Sequence, residues 1–235
     1  MITLLILALA VQPAEGEARE FKGLKYRLFK PEAVEGKVPL VLFLHGAGER
    51  GDDNAAQTRH GVKAFLAQQP KRPHVLVAPQ CPKNRKWSDV DWFAPTHKTP
   101  DKPSEPMALV MELLDVLPTE LPVDPKRIYV TGLSMGGYGT WDLLARRPGL
   151  FAAAVPICGG GDETSAAAIS KVPQWIFHGD KDTVVKPERS RNMVEALKKA
   201  GGEPKYTEFP GVGHNSWDKA YADPALFEWL FARTK

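Results

Sequence analysis

Short apolar runs recur along this chain at 40–44, 75–78, 128–131, 152–157 and 175–177, each bounded by polar or turn-forming residues. A run that is apolar on every position cannot have one face in water, so these segments predict strands of a parallel sheet covered on both sides. A weaker run at 206–209 predicts a last strand. Leu24, Tyr26 and Leu28 alternate instead with Lys25 and Arg27, the period of a half-exposed strand near a sheet edge. Between the runs the period changes to that of a helix: Val62, Phe65 and Leu66; then Leu109, Val110, Leu113, Leu114 and Leu117; then Met193, Val194 and Leu197; finally Leu226, Phe227, Leu230 and Phe231. Asp223 followed by Pro224 is an N-cap and first-turn pair that starts the last of these. Strands alternating with helices predict an α/β domain.

The stretch 82–105 breaks the alternation. It has no period, four prolines and two tryptophans, Trp87 and Trp92. It leaves the carboxyl end of a strand, where open α/β sheets bind ligands, and loops of this length in compact domains are usually functional.

At 235 residues, with 25% charged and 43% hydrophobic positions, the chain suits one well-buried domain. Its net charge of +3 is spread among acids rather than gathered in a stripe, which gives no support to a nucleic-acid partner. Residues 2–11 form an apolar run too short to cross a bilayer, followed by small residues. The expectation is a secretory signal over 1–18, although its start lacks lysine or arginine, and a single domain over 19–235 in a secreted or periplasmic protein. No later run is long and apolar enough for stable membrane insertion. Spacings of His and Cys suited to zinc are absent, so neither a metal nor an organic cofactor is expected.

The chemistry is concentrated after strand ends. The run at 128–131 is followed by Gly132-Leu133-Ser134-Met135-Gly136 and then by a helical pattern reaching Arg146. In that context G-x-S-x-G is a tight strand-to-helix turn presenting a serine. Its glycines are required because side chains two residues either side of the apex would meet the returning chain. A glycine-rich segment, His45 to Gly51, follows the run at 40–44. His178-Gly179-Asp180-Lys181-Asp182 follows 175–177, and Gly211-Val212-Gly213-His214 follows 206–209.

With LHGAGERG at 44–51, PQCP at 79–82, GLSMGGYGTW at 132–141, HGDKDTVV at 178–185 and GVGH at 211–214, the chain resembles single-domain serine esterases of the α/β-hydrolase superfamily. These are bacterial carboxylesterases and peptidase-like proteins related to polyhydroxybutyrate depolymerases and feruloyl esterases. The resemblance implies an α/β-hydrolase fold with a mostly parallel sheet and helices on both faces. It implies Ser134 as nucleophile, His214 as general base and Asp182 as the acid that orients it. Asp180 lies in the same turn and is the alternative acid, with a loop-capping role otherwise. The backbone N–H groups of Ala47 and Met135 would form the oxyanion hole, with Gly48 replacing Ala47 if the turn is displaced by one residue. His45 and His178 are expected to make structural hydrogen bonds beneath the site, and His60 to lie in a helix.

Trp87 and Trp217 are candidates to stack on a sugar or aromatic acyl group. Packing is the alternative for both, and the preferred role for Trp92. The implied strand order puts about three spacings of roughly 4.8 Å between the strands preceding Cys81 and Cys158, beyond the ~7 Å a disulfide spans. Two buried free thiols are expected. Only a short stretch follows the run at 152–157, too little for a lid. The implied activity is hydrolysis of short-chain, carbohydrate or aromatic esters through an acyl-enzyme, on a small-molecule or polymer ester substrate. A serine peptidase or an acyltransferase are the alternatives.

Overall fold

The computed structural model describes residues 16–32 and 34–235. The apolar run at 2–11 lies outside the described residues. Eight strands form one sheet in the order β1-β2-β4-β3-β5-β6-β7-β8. They are β1 (Glu17–Phe21), β2 (Leu24–Phe29), β3 (Val38–Leu44), β4 (Val75–Pro79), β5 (Val123–Leu133), β6 (Ala153–Ile157), β7 (Trp175–Gly179) and β8 (Lys205–Phe209). β1 and β2 pair antiparallel, as do β2 and β4, whereas the other neighbours are parallel.

The side-chain alternation of a strand divides the interior into two cores. Leu40, Leu42 and Leu44 of β3 point to one face, where they join Val110, Leu113 and Leu117 of α2 (Glu105–Glu120), Trp141 and Leu144 of α3 (Met135–Arg146), and Met193 and Leu197 of α5 (Glu188–Lys199). Val41 and Phe43 point to the other, against Val62 and Phe65 of α1 (Val62–Leu66), Tyr221 of α6 (Ser216–Ala222), and Phe227 and Leu230 of α7 (Pro224–Phe231). Every residue of β3 is buried, as its unbroken apolar run predicts. The Asp223 carboxylate accepts from the N–H of Ala225 at 2.9 Å, which makes it the cap expected for α7.

The alternating strand β2 is second from the edge, in keeping with its half-exposed pattern, and Glu17–Phe21 adds a strand outside it. That outer strand has three exposed central residues and hence no apolar period to read. It pairs with β2 so that Glu17 faces Leu28 and Ala18 faces Arg27. One local expectation is corrected: His60 lies in a bend before α1 rather than in a helix.

Cys81 and Cys158 are free and buried. β3 and β5 separate the strands that precede them, as the implied strand order requires. The connection after β6 holds only a 3-10 turn at Glu163–Ser165 and the four-residue α4 (Ala166–Ile169), so no lid covers the sheet from this side.

The long loop between β4 and α2 has no regular structure and is tied down at several points. Ser104 caps α2 by accepting from Met107 N and donates to Trp87 O at 2.8 Å. Tyr138 Oη donates to Trp92 O at 3.0 Å, and Thr99 N donates to the Asp162 carboxylate at 2.8 Å. Arg146 donates to Pro100 O at 2.7 Å. Arg189, nearly wholly buried on α5, donates to Pro95 O at 2.5 Å and contacts His97 Nδ1.

Candidate active site

Ser134 stands between the end of β5 and the start of α3 with φ 53° and ψ −118°, a strained left-handed conformation for a residue with a Cβ. Two hydrogen bonds over-determine it: Ser134 N donates to Ile157 O at 3.0 Å, and Tyr138 N donates to Ser134 O at 3.1 Å. The glycines around it are sterically obligatory. A Cβ on Gly136 would lie 1.9 Å from Leu44 O, and one on Gly132 would lie 2.3 Å from Gly136 O. The turn thus presses directly on the end of β3, and this close approach places Ser134 beside the segment that starts at His45.

His214, in the loop between β8 and α6, lies with Nε2 2.9 Å from Ser134 Oγ and Nδ1 2.7 Å from Asp182 Oδ2. A carboxylate oxygen only accepts, so Nδ1 carries the ring hydrogen and Nε2 is left to accept the Ser134 hydroxyl. Asp182 is 3% exposed, and its other oxygen accepts from Val184 N at 2.8 Å and Val185 N at 3.0 Å. Burial by itself would raise its pKa, but hydrogen bonds from His178, His214 and the Val185 backbone outweigh that and hold the carboxyl well below the usual carboxylate range. Asp180 points elsewhere: its carboxylate accepts from Gly211 N at 2.7 Å and caps the loop that carries His214.

The two histidines placed beneath the site by their strand-end positions are both structural. His178 is fully buried, with Nε2 2.9 Å from Val185 O and 3.2 Å from Asp182 Oδ2, so that nitrogen carries its hydrogen toward two acceptors. Its Nδ1 lies 2.7 Å from Ser190 Oγ. His45 has Nδ1 2.6 Å from Gly46 O, while Nε2 accepts from Cys81 N at 2.9 Å. Burial pushes its pKa down to about 4, consistent with a ring that must stay neutral to accept at Nε2. Cys158 also approaches, its sulfur lying with ligand-type atoms of Asp182 and His214 inside a 4.8 Å cluster. Burial pushes its thiol far up, and the facing atoms of Asp182 and His214 are already engaged with each other.

Ser134 opens into a cavity of about 310 Å³ lined also by Ala47, Met135, His214 and Trp217. Met135 is the first residue of α3, and Ala47 the first of a 3-10 turn at Ala47–Glu49. N–H groups at such positions have no acceptor within their own helix or turn. Both are therefore available to an oxygen bound beside Ser134, and the helix N-terminus favours negative charge there.

Of the tryptophans, Trp217 lines this cavity, its ring 5.3 Å from that of His214 and nearly perpendicular to it. Trp87 does not, which corrects the expectation of a stacking role. It is wholly buried, donates to His45 O at 3.1 Å, and fills the space that a side chain on Gly139 would need. Trp92, read as a packing residue, does pack against the core, and its half-buried ring also lines the cavity. Sequence reading missed Glu49, His60, Phe93, Tyr138 and Val184, which also line it. Glu49, Tyr138 and Val184 lie inside the motifs at 44–51, 132–141 and 178–185 without having been read for a role, whereas His60 and Phe93 fall in none of them. Only the length of the loop holding Trp92 and Phe93 pointed to that side of the site.

A hydrogen-bonded serine, carboxylate and histidine, carried in that chain order on loops after the strands of a mostly parallel sheet, is the arrangement of an α/β-hydrolase. The chain belongs to the phospholipase/carboxylesterase family of that class, whose sequence profile matches residues 32–227. It is 31% identical over 201 residues to poly(3-hydroxyalkanoate) depolymerase C of Paucimonas lemoignei, a match covering 72% of this chain and 47% of that protein. Carboxylesterase SOBER1 of Arabidopsis thaliana is 25% identical over 208 residues, with 83% of this chain and 90% of that protein covered. Among solved structures, a thermostable esterase superposes with TM-score 0.86 at 41% identity, over 94% of this chain and 64% of that one. A ferulic acid esterase superposes with TM-score 0.64 at 19% identity over 88% of this chain and 90% of that one, a likeness of fold alone. The chain thus spans about half the length of the depolymerase it matches.

Proposed function

We propose that this protein is a serine hydrolase of carboxylic esters that works through an acyl-enzyme. The observation that carries the reading is the continuous hydrogen-bonded line from Ser134 Oγ through His214 to the buried carboxylate of Asp182, at 2.9 and 2.7 Å, opening onto a cavity. A serine hydroxyl is a weak nucleophile at neutral pH and needs a base in contact. His214 Nε2 takes the hydroxyl proton as Oγ attacks the ester carbonyl, and Asp182 stabilises the imidazolium that forms. The negative charge that develops on the carbonyl oxygen is received by the N–H groups of Met135 and Ala47, each worth about 3 kcal/mol of transition-state stabilisation. His214 then protonates the departing alcohol. Water, activated by the same nitrogen, releases the acid and restores Ser134.

The substrates that fit are esters with a short acyl group or a sugar or aromatic group. The cavity is small and open, with no lid among the described residues, and Trp217 stands beside His214. The names of the depolymerase, carboxylesterase and esterase relatives support ester hydrolysis as the reaction. Purified protein and its Ser134→Ala variant, assayed on p-nitrophenyl acetate, butyrate and octanoate, on feruloyl and acetylated-sugar esters and on a peptide panel, provide the test. Ester turnover that falls by roughly 10⁴–10⁶-fold in Ser134→Ala is expected. Turnover that survives the substitution, or that is confined to peptides, refutes the proposal.

A further inference from the structure

The Ser134 cavity has a polar side that the hydrolytic steps leave unused. It is formed by Glu49, at the end of the 3-10 turn Ala47–Glu49, and by His60, in the bend before α1. Glu49 is only 6% exposed, yet among the described residues no hydrogen bond reaches either oxygen of its carboxylate. Its cationic neighbours stand off, with His60 Nε2 3.7 Å and Arg59 Nη1 4.0 Å from Oε1. Buried carboxylates are ordinarily hydrogen-bonded or closely paired, because withdrawal from water is costly otherwise. This one lacks its donors, and it lines the cavity that holds the reactive serine.

The carboxylate is positioned before any ligand enters. Gln80, 1% exposed, donates to Glu49 O at 3.1 Å and to the Asp53 carboxylate at 2.8 Å, which fixes the segment after β3. Gly46 leaves room for the Glu49 side chain. A Cβ there would lie 3.0 Å from Glu49 Oε2 and 3.6 Å from Ser134 Cβ, so Oε2 is the oxygen on the nucleophile's side and one small ligand can touch both. The Trp217 ring lies 5.6 Å from that of His60 and 5.3 Å from that of His214, which joins the polar pair and the reacting pair in one cavity.

We propose that Glu49 is a specificity-determining residue whose Oε2 accepts a hydrogen bond from a free hydroxyl that the substrate carries a few bonds from the scissile ester, with His60 as the second polar group beside it. The proposal rests on the hydrolase reading above and adds to it which esters are preferred. A methyl group in the same place leaves the carboxylate desolvated and unpaired, so the site discriminates against it. An ammonium group would meet the positive charge of Arg59 on the same carboxylate, whereas a hydroxyl is neutral and does not.

The test compares esters that differ by a hydroxyl in place of a methyl. On the alcohol side these are 2-hydroxyethyl acetate and propyl acetate, and on the acyl side methyl 3-hydroxypropionate and methyl butyrate. A third pair, acetylcholine and 3,3-dimethylbutyl acetate, differs by a positive charge at constant shape. What is read is the ratio of kcat/KM within each pair, so any general effect of a substitution on the reacting groups cancels. In wild type one hydroxyl pair should favour the hydroxylated ester about tenfold, the scale of one hydrogen bond to a charged acceptor. Glu49→Leu should bring that ratio to about one or below, and Glu49→Gln, which keeps a neutral acceptor, to about threefold. The pair that responds tells which side of the ester faces Glu49. Circular dichroism checks folding, and if Glu49→Leu does not fold, the near-isosteric Glu49→Gln carries the test by itself.

Hydroxyl ratios near one in wild type, or ratios that both variants leave unchanged, overturn the proposal while the hydrolase reading stands. So does a Glu49-dependent preference for acetylcholine with hydroxyl ratios near one, which would make the carboxylate a cation site. Absence of Ser134-dependent hydrolysis of every ester in wild type is a separate result, and it overturns the hydrolase reading and this subsite with it.

Discussion

Replacing Asp182 by asparagine removes one charge and keeps the shape, and the surrounding hydrogen bonds dictate how the new group sits. Oδ1 of Asp182 receives the N–H groups of Val184 at 2.8 Å and Val185 at 3.0 Å, so the introduced amide must place its oxygen there. Its NH₂ then occupies the position of Oδ2, 2.7 Å from His214 Nδ1 and 3.2 Å from His178 Nε2. A donor facing His214 Nδ1 reverses the tautomer, which puts the ring hydrogen on Nε2, toward Ser134 Oγ. In that state the imidazole cannot take the hydroxyl proton. The same NH₂ also opposes the hydrogen that His178 Nε2 directs at it, a donor–donor conflict costing about 1–3 kcal/mol in a site without solvent.

Loss of the base by tautomer reversal predicts a fall in kcat of about 10⁴, or ~5.5 kcal/mol in the barrier. Asp180→Asn keeps an oxygen for Gly211 N–H and should stay within about threefold of wild type. The assay is kcat on p-nitrophenyl acetate for both variants, normalised to folded protein by circular dichroism. If Asp180→Asn shows the large loss and Asp182→Asn does not, the assignment of the acid is wrong.

Gly136→Ala brings a methyl to within 1.9 Å of Leu44 O, backbone that has no flexible end to move. It should cost about 1–3 kcal/mol in stability and shift Ser134 enough to lower kcat about 10²-fold, read by thermal melts and turnover. Trp87→Ala should lower stability by about 3–5 kcal/mol while leaving KM of the remaining folded enzyme near wild type, whereas Trp217→Ala should alter KM or kcat with a smaller loss of stability. Acid should destabilise the fold above the range where carboxylates titrate. Burial lowers the pKa values of His45 and His74 from 6.5 to about 4. The unfolded chain therefore binds protons that the folded chain refuses as pH falls from about 6.5 toward 4, at a cost of about 3 kcal/mol per histidine once both ranges are passed. A Tm that drops by roughly 10 °C or more between pH 7 and 4.5 is expected, and a flat profile over that window contradicts it.

Local constraints made much of this protein legible in its sequence. Apolar runs such as 40–44 read as doubly covered strands because no strand with a wet face tolerates them, and β3 is buried throughout. Gly132 and Gly136 were readable because the turn they bracket admits no Cβ, and the contacts at 2.3 and 1.9 Å bear this out. Strand order, through the resemblance, kept Cys81 and Cys158 apart. The tertiary structure decided what depends on contacts between distant segments. Asp180 and Asp182 share one turn, and only the placement of β8 beside β7 shows that one faces the His214 ring and the other the Gly211 backbone. Trp87 and Trp92 share one loop without a period, so nothing local distinguished them. Gly139 of α3 leaves room for Trp87 in the core, while the bond from Tyr138 to Trp92 O holds Trp92 at the cavity rim. β1 was illegible for the opposite reason, since its exposed residues carry no apolar pattern and its place comes from backbone pairing alone. Local sequence could specify which turns and strands form because sterics and burial act over a few residues. Which side chains meet across the site is set by packing between segments 30 to 80 residues apart, and that information exists only once the chain has folded.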